Sequence, residues 1–106
     1  MSTNRDVYGA LNDLYDALES AYWAASTVEQ KDRIFGVMSI VSHELDELDR
    51  KRLRKSNEDY SKLTEEMKTG TARIEQLSRD INGIIHNISV ATDVINKVTS
   101  LLALLK

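Results

Sequence analysis

The side chains that most often carry out chemistry in proteins are sparse in this sequence. Cysteine is absent, and the two histidines, His43 and His86, lie far apart. His43 and Glu47 have a spacing that would place an imidazole and a carboxylate on one face of a helix, but no second histidine lies nearby to complete a metal site. An ordinary surface histidine is the preferred interpretation, and we predict no metal ligands.

Other catalytic groups have no better support. The sequence contains no glycine-rich segment that could surround a phosphate, and its serines and threonines lack a base in register. His86 falls at an outward position of a heptad pattern, together with Arg79 and Asp93. We therefore expect a protein that is not an enzyme, with no catalytic residues and no cofactor.

One short run of positive charge could bind nucleic acid or anionic lipid. It consists of Arg50, Lys51, Arg52, Arg54 and Lys55. Acidic residues flank the run and can pair with it, and it lacks the interleaved aromatic residues that would stack on bases. The formal net charge of the chain is −3, whereas a general nucleic-acid binder is basic. A solvated helix face is preferred, and association with nucleic acid through residues 50–55 stays an alternative.

The first segment offers a more specific candidate, a combination of aromatic and acidic side chains. A seven-residue repeat begins at Val7, Leu14 and Ala21 and predicts an amphipathic helix, with Trp23 at the position farthest from the apolar face. Aromatic residues bordered by carboxylates are typical of protein-binding hot spots, and an acidic border favours a basic partner. The predicted partner-binding residues are Tyr15, Asp16, Glu19, Tyr22 and Trp23. The alternative is that Trp23 packs over the next helix turn and the tyrosines only widen the core.

Helices must position these candidates, because apolar residues recur at spacings of three and four and proline is absent. Thr3 followed by Asp6 is a plausible N-terminal cap. Ser26 with Glu29 and Thr27 with Gln30 both have the capping-box spacing, which predicts a turn and a new helix from about Val28. Gly70 suits the left-handed cap that ends a helix. The predicted helices are about 4–26, 28–68 and 71–105, although a continuous helix across either break stays open.

The C-terminal third contains the longest apolar series, which would pack against the upstream helices. Its members are Ile74, Leu77, Ile81, Ile84, Ile88, Ala91, Ile95, Val98, Leu102 and Leu105. Because the first helix is the shortest, the hairpin around Gly70 would project beyond it. The sequence thus predicts an all-α single domain over residues 1–106, an antiparallel three-helix bundle with a long, partly protruding coiled-coil hairpin.

Further apolar residues in the last helix lie outside this series. They are Val90, Val94, Leu101 and Leu104, and self-association, most simply as a homodimer, would bury what the bundle leaves exposed. A membrane-associated helix is the competing interpretation, but the polar face of this segment lacks the lysines and arginines that anionic lipid favours.

These patterns lead to one prediction of function. We expect a non-enzymatic protein–protein interaction module, such as a small inhibitor, immunity-type or adaptor protein, that binds a basic partner through its first helix. A cytoplasmic location is expected, because the N-terminal residues lack the apolar segment of a secretory signal. Polar residues within 84–105 argue against a membrane span.

Overall fold

The computed structural model describes residues 2–106 and confirms the all-α class. These residues form four helices, α1 (Asn4–Ala24), α2 (Val28–Arg50), α3 (Glu65–Ile84) and α4 (Ile88–Leu104). Each helix packs against two others, so that α1 and α3 both contact α2 and α4. The result is an elongated antiparallel four-helix bundle of 40 × 20 × 19 Å, in place of the predicted three-helix bundle with a protruding hairpin.

The first predicted break is confirmed. Thr27 caps α2, its hydroxyl oxygen accepting a hydrogen bond from the backbone N–H of Gln30 at 3.2 Å, and α2 begins at Val28. Thr3 caps α1 in the same way, accepting from the N–H of Asp6 at 3.1 Å. Most of the apolar face predicted from the repeat is buried in the core, namely Val7, Leu11, Leu14, Leu18, Ala21 and Ala25. Val28, the last member that the pattern suggested, is 73% exposed at the start of α2.

The predicted helix over residues 28–68 is wrong, because α2 ends at Arg50. Arg52 adopts a left-handed conformation with φ of 58°, and the N–H of Leu53 donates to the carbonyl of Leu48 at 2.8 Å. This is the Schellman arrangement that terminates helices. Opposite charges four residues apart, such as Asp46 with Arg50 and Arg54 with Glu58, would support a helix by only about 0.2–0.5 kcal/mol each. That is too little to continue α2 through residues 49–59, which contain a single leucine.

Residues 51–64 form a loop that folds over the start of α1. The backbone N–H groups of Asn4 and Arg5 donate to the carbonyls of Glu58 and Ser56 at 2.9 and 3.0 Å, and the N–H of Tyr60 donates to the carbonyl of Ser2 at 2.9 Å. The first N–H groups of a helix have no partner within the helix. The loop therefore satisfies donors at the N-terminus of α1 and closes this end of the bundle.

A buried carboxylate holds the loop against α2. Glu44 is completely buried, and its carboxylate accepts hydrogen bonds from the Tyr60 hydroxyl at 2.6 Å and from the N–H groups of Leu63 and Thr64 at 2.8 Å each. Thr64 in turn caps α3 by accepting from the N–H of Met67 at 3.0 Å. Because a buried charge without such partners is very unfavourable, the position of Glu44 determines where the loop ends and α3 begins.

Gly70 lies within α3 and does not end a helix. A Cβ atom at this position would lie 2.8 Å from Cγ2 of Ile40 in α2, closer than carbon atoms can approach. The predicted C-terminal cap was wrong because glycine serves here to bring two helix backbones together.

The predicted helix over residues 71–105 is also interrupted, at a turn of residues 85–87. Asn87 caps α4, its side-chain oxygen accepting from the N–H of Val90 at 3.1 Å, and Ile85 pairs with Ala25 in the equivalent turn between α1 and α2. The turn changes the buried face, so that Ile88, a member of the predicted apolar series, is 78% exposed. The residues of α4 that enter the core are Ala91, Val94, Val98 and Leu101.

Replacing Gly70 with alanine should destabilise the protein despite the better helix propensity of alanine. The added methyl group overpacks the contact with Ile40, at a typical cost of about 1–3 kcal/mol. Gly9→Ala is the matched control, since its Cβ would meet nothing within 4 Å, and it should stabilise by roughly 0.5–1 kcal/mol. Urea denaturation of both variants measures these changes, and equal stabilisation by the two substitutions would contradict the close packing at Gly70.

The Tyr60–Glu44 hydrogen bond should make stability sensitive to alkaline pH. Burial, together with the hydrogen bond to Glu44 and its negative charge, raises the pKa of Tyr60 well above its ordinary value. A pKa that is higher in the folded than in the unfolded state contributes stability that is complete below the unfolded pKa of about 10 and is lost as the pH rises above it.

Denaturation at a series of pH values tests this dependence. At neutral pH, Tyr60→Phe should lower the free energy of unfolding by about 1–2 kcal/mol, because one hydrogen bond to a buried carboxylate is lost. Above pH 10 or so, the difference between wild type and variant should shrink. A difference that stays constant to high pH would show that the hydroxyl does not titrate differently in the folded state.

Candidate protein-binding surface

The structure separates the histidine and the carboxylate that the sequence placed on one face of a helix. No group of three or more histidine and carboxylate side chains is positioned to hold a metal ion within residues 2–106. His43 lies with its Nδ1 2.6 Å from Oε2 of Glu66 on α3, not beside Glu47. Glu47 pairs with Arg50, whose hydrogen bonds hold the pKa of that carboxyl below its ordinary value. His43 and Glu47 therefore belong to two separate contacts.

The three tyrosines of the α1 repeat lie on the side of α1 that faces α2. The Tyr8 hydroxyl donates to Oδ2 of Asp49 at 3.1 Å, and Tyr15 borders a groove with residues of α2. The Tyr22 ring centroid lies 6.4 Å from that of Phe35. All three tyrosines are partly buried, so they widen the α1–α2 contact and also leave aromatic surface in water.

An aromatic cluster of Tyr22, Trp23 and Phe35 occupies the end of α1 and the start of α2. The rings of Tyr22 and Trp23 meet edge to face with centroids 5.2 Å apart, the favourable geometry for two aromatic rings. Nζ of Lys31 lies 4.9 Å from the Tyr22 centroid and 5.4 Å from the Trp23 centroid, and donates to the carbonyl of Tyr22 at 2.7 Å. The lysine thus restrains both rings.

Trp23 is 74% exposed although its ring has these neighbours. Of the two interpretations left open by the sequence, the structure therefore places the indole at the surface. Asp16 and Glu19 are also exposed, and neither forms an ion pair with another of residues 2–106. The five predicted residues thus include two aromatic rings in direct contact and two carboxylates free to meet a partner.

Sequence reasoning missed two residues of this surface, Lys31 and Phe35. Phe35 is 57% exposed and follows Ile34, a member of the predicted apolar face of α2. An aromatic residue just off that apolar face, next to a run of charged residues, could have indicated an exposed ring. Lys31 gave no signal, because its contacts depend on how α1 and α2 meet.

A groove of about 230 Å³ runs between α1 and α2 next to this cluster. We call it the α1–α2 groove, and its lining consists of Tyr15, Phe35, Met38, Ser39, Ser42 and His43. Met38 is buried at its floor, whereas the two serines are partly exposed and small. The groove therefore joins a floor of Met38 and two small serines to the aromatic cluster.

The residues predicted for self-association lie in different surroundings. Val94 and Leu101 are completely buried in the core of one chain and offer no surface to a second copy. Val90 and Leu104 are partly buried and pack against the core. Self-association therefore stays a prediction, with less apolar surface on α4 than the sequence indicated. No helix among residues 2–106 is both long and apolar enough to cross a membrane.

The basic run 50–55 lies mainly in the loop after α2. Arg50 pairs with Glu47, and Arg54 lies 3.9 Å from Asp49 and over the Tyr8 ring. Arg52 and Lys55 border an open depression that also contains Asp49. Carboxylates thus accompany the run in the fold as they do in the sequence.

Comparison with other proteins adds no assignment. No protein-family model matches the chain, and neither characterised proteins nor solved structures show significant similarity to it. A functional proposal must therefore rest on the exposed side chains of the aromatic cluster and the carboxylates beside it.

The lysine contact at the aromatic cluster can be measured by a double-mutant cycle of Lys31→Met and Trp23→Ala. Because the ammonium group lies over the indole at an exposed site, the coupling free energy should be about 0.5–1 kcal/mol. Urea denaturation of the wild type, both single variants and the double variant provides the four free energies. Strictly additive single effects would mean that Lys31 does not restrain Trp23 in solution.

Proposed function

We propose that this chain is a non-enzymatic protein–protein interaction module that binds a basic partner through Tyr15, Asp16, Glu19, Tyr22 and Trp23. The observation that carries the proposal is the 74% exposure of a tryptophan held in place by an edge-to-face tyrosine and a lysine. A small inhibitor, immunity-type or adaptor protein is the kind of molecule that works through one such surface.

The energetics of association support this choice of surface. Tryptophan and tyrosine are enriched among the few residues that carry most binding energy in interfaces, because each buries a large area with few rotatable bonds. Rings that are already restrained lose less side-chain entropy on binding. Tyr22 and Trp23 meet both conditions, since their rings contact one another and Lys31.

The charges beside the rings indicate the chemistry of the partner. Glu19 and Asp16 are exposed on the same helix, one and two turns before Trp23 respectively. Complementary charge around an aromatic centre steers association and excludes wrong partners. Arginine or lysine side chains on the partner would meet these carboxylates while its apolar atoms cover the indole.

Replacing Trp23 with alanine should abolish partner capture while leaving the fold intact. Because Trp23 is exposed and contributes to folding only through its contacts with Tyr22 and Lys31, the free energy of unfolding should fall by about 1 kcal/mol, well short of the 3–5 kcal/mol or so that removal of a buried tryptophan costs. The measurement is an affinity pull-down from the native host with wild type and variant as bait, beside circular dichroism and thermal melting. Tyr22→Ala should also impair capture, with a larger loss of stability because Tyr22 is partly buried.

Ile88→Ala is the matched control for this experiment. Ile88 is 78% exposed, but it lies on α4 in the other helical hairpin. Capture should survive this substitution. A large loss of stability in Trp23→Ala would place the indole in the core, and unchanged capture would remove Trp23 from the binding surface.

A further inference from the structure

The α1–α2 groove has features that restrict what could occupy it. Its floor is Met38 with the small side chains of Ser39 and Ser42, and Phe35, which is 57% exposed, stands at its border. Phe35 contacts Tyr22, which contacts Trp23, so the apolar surface continues from the groove to the end of α1. The groove and the aromatic cluster together form a partly apolar surface between two antiparallel helices.

The backbone beside the groove has no free hydrogen-bonding groups with which an extended peptide could pair. Both walls are α-helices, whose N–H and carbonyl groups are paired within each helix, so no strand edge is available for β-addition. A helix satisfies its own backbone hydrogen bonds and packs its side chains into the channel between two others. The groove therefore fits a helical ligand.

The charged residues around the groove indicate that such a ligand would be positively charged. Asp16 and Glu19 lie exposed on α1 beside Tyr15, and Asp46 is exposed on α2 one turn beyond Ser42. Lys31 keeps its positive charge while it donates to the Tyr22 carbonyl, and His43 lies with its Nδ1 2.6 Å from a carboxylate oxygen of Glu66. Exposed carboxylates therefore outnumber the basic groups beside the groove. A second copy of this chain docked here about a two-fold axis would place like carboxylates opposite one another, and an anionic membrane would be repelled.

We propose that the α1–α2 groove binds a basic amphipathic helix of the partner protein. The apolar side chains of this helix would lie over Met38, Phe35 and the Trp23 ring, spaced by three and four residues as in other helix-in-groove complexes. Its lysines and arginines would flank Asp16 and Glu19. This inference rests on the proposed function and adds to it the class of ligand and the contribution of α2.

A designed peptide of about 18 residues, with leucine and lysine at the spacing of an amphipathic helix and no tryptophan, is the probe for this groove. Trp23 is the only tryptophan of the chain, so its fluorescence reports the titration without a label. The expected result is a shift of emission to shorter wavelength as the peptide excludes water from the indole. A peptide with glutamate in place of lysine should not bind, and added salt should weaken the lysine peptide.

Variants of α2 separate the groove from the rest of the surface. Phe35→Ala should weaken peptide binding by about tenfold, the loss expected for an aromatic anchor. Ser42→Arg should prevent it by filling the floor with a bulky positive charge, and Ile88→Gln should leave it within about twofold of wild type because Ile88 lies outside the groove. Circular dichroism checks that each variant is folded.

The outcomes distinguish this inference from the proposed function. Equal binding of the two peptides, no binding of the lysine peptide, or binding that is unchanged in both Phe35→Ala and Ser42→Arg would overturn the groove as a site for a basic helix. If capture of the native partner still required Trp23, the proposed function would stand without the groove. If neither capture nor peptide binding involved Trp23, both proposals would fail.

Discussion

The fold depends on one buried carboxylate, that of Glu44. It lies completely inside the protein and is stable there because Tyr60 and two backbone N–H groups donate hydrogen bonds to it. Those donors belong to the loop and to the cap of α3, so displacing the loop would break all three hydrogen bonds to this carboxylate. The Schellman arrangement at Arg52 ends α2, and one side chain of α2, Glu44, sets where the loop ends and α3 begins.

The reversal of the chain at residues 51–64 shapes the two ends and the sides of the bundle. The loop covers the N-terminus of α1 at one end, whereas two short turns, joined by the pairing of Ala25 with Ile85, close the other. Once α3 begins at Glu65, Gly70 lies opposite Ile40 and allows close contact with α2. The core is then enclosed by four helices, and α1 and α2 keep one shared groove open to water.

The repeat in α1 serves packing and surface chemistry together. Its leucines and small residues enter the core, while its tyrosines extend over α2 and retain polar atoms near water. Trp23 stands one position beyond Tyr22, where no other helix covers it. The proposed binding surface is therefore the outer edge of the same helix contact that holds α1 against α2.

Helical class, the apolar face of α1 and the start of α2 at Val28 follow from the sequence alone, because periodicity and capping act between neighbours in the chain. The reversal at residues 51–64, the packing role of Gly70 and the turn before Asn87 were decided by tertiary structure. A lone glutamate, glycine or asparagine fits several local roles, and only contacts with distant residues select among them. The outward position of Trp23 was likewise predicted from the heptad. Its exposure and its contact with Lys31 could not be predicted, because both depend on how α2 packs against α1.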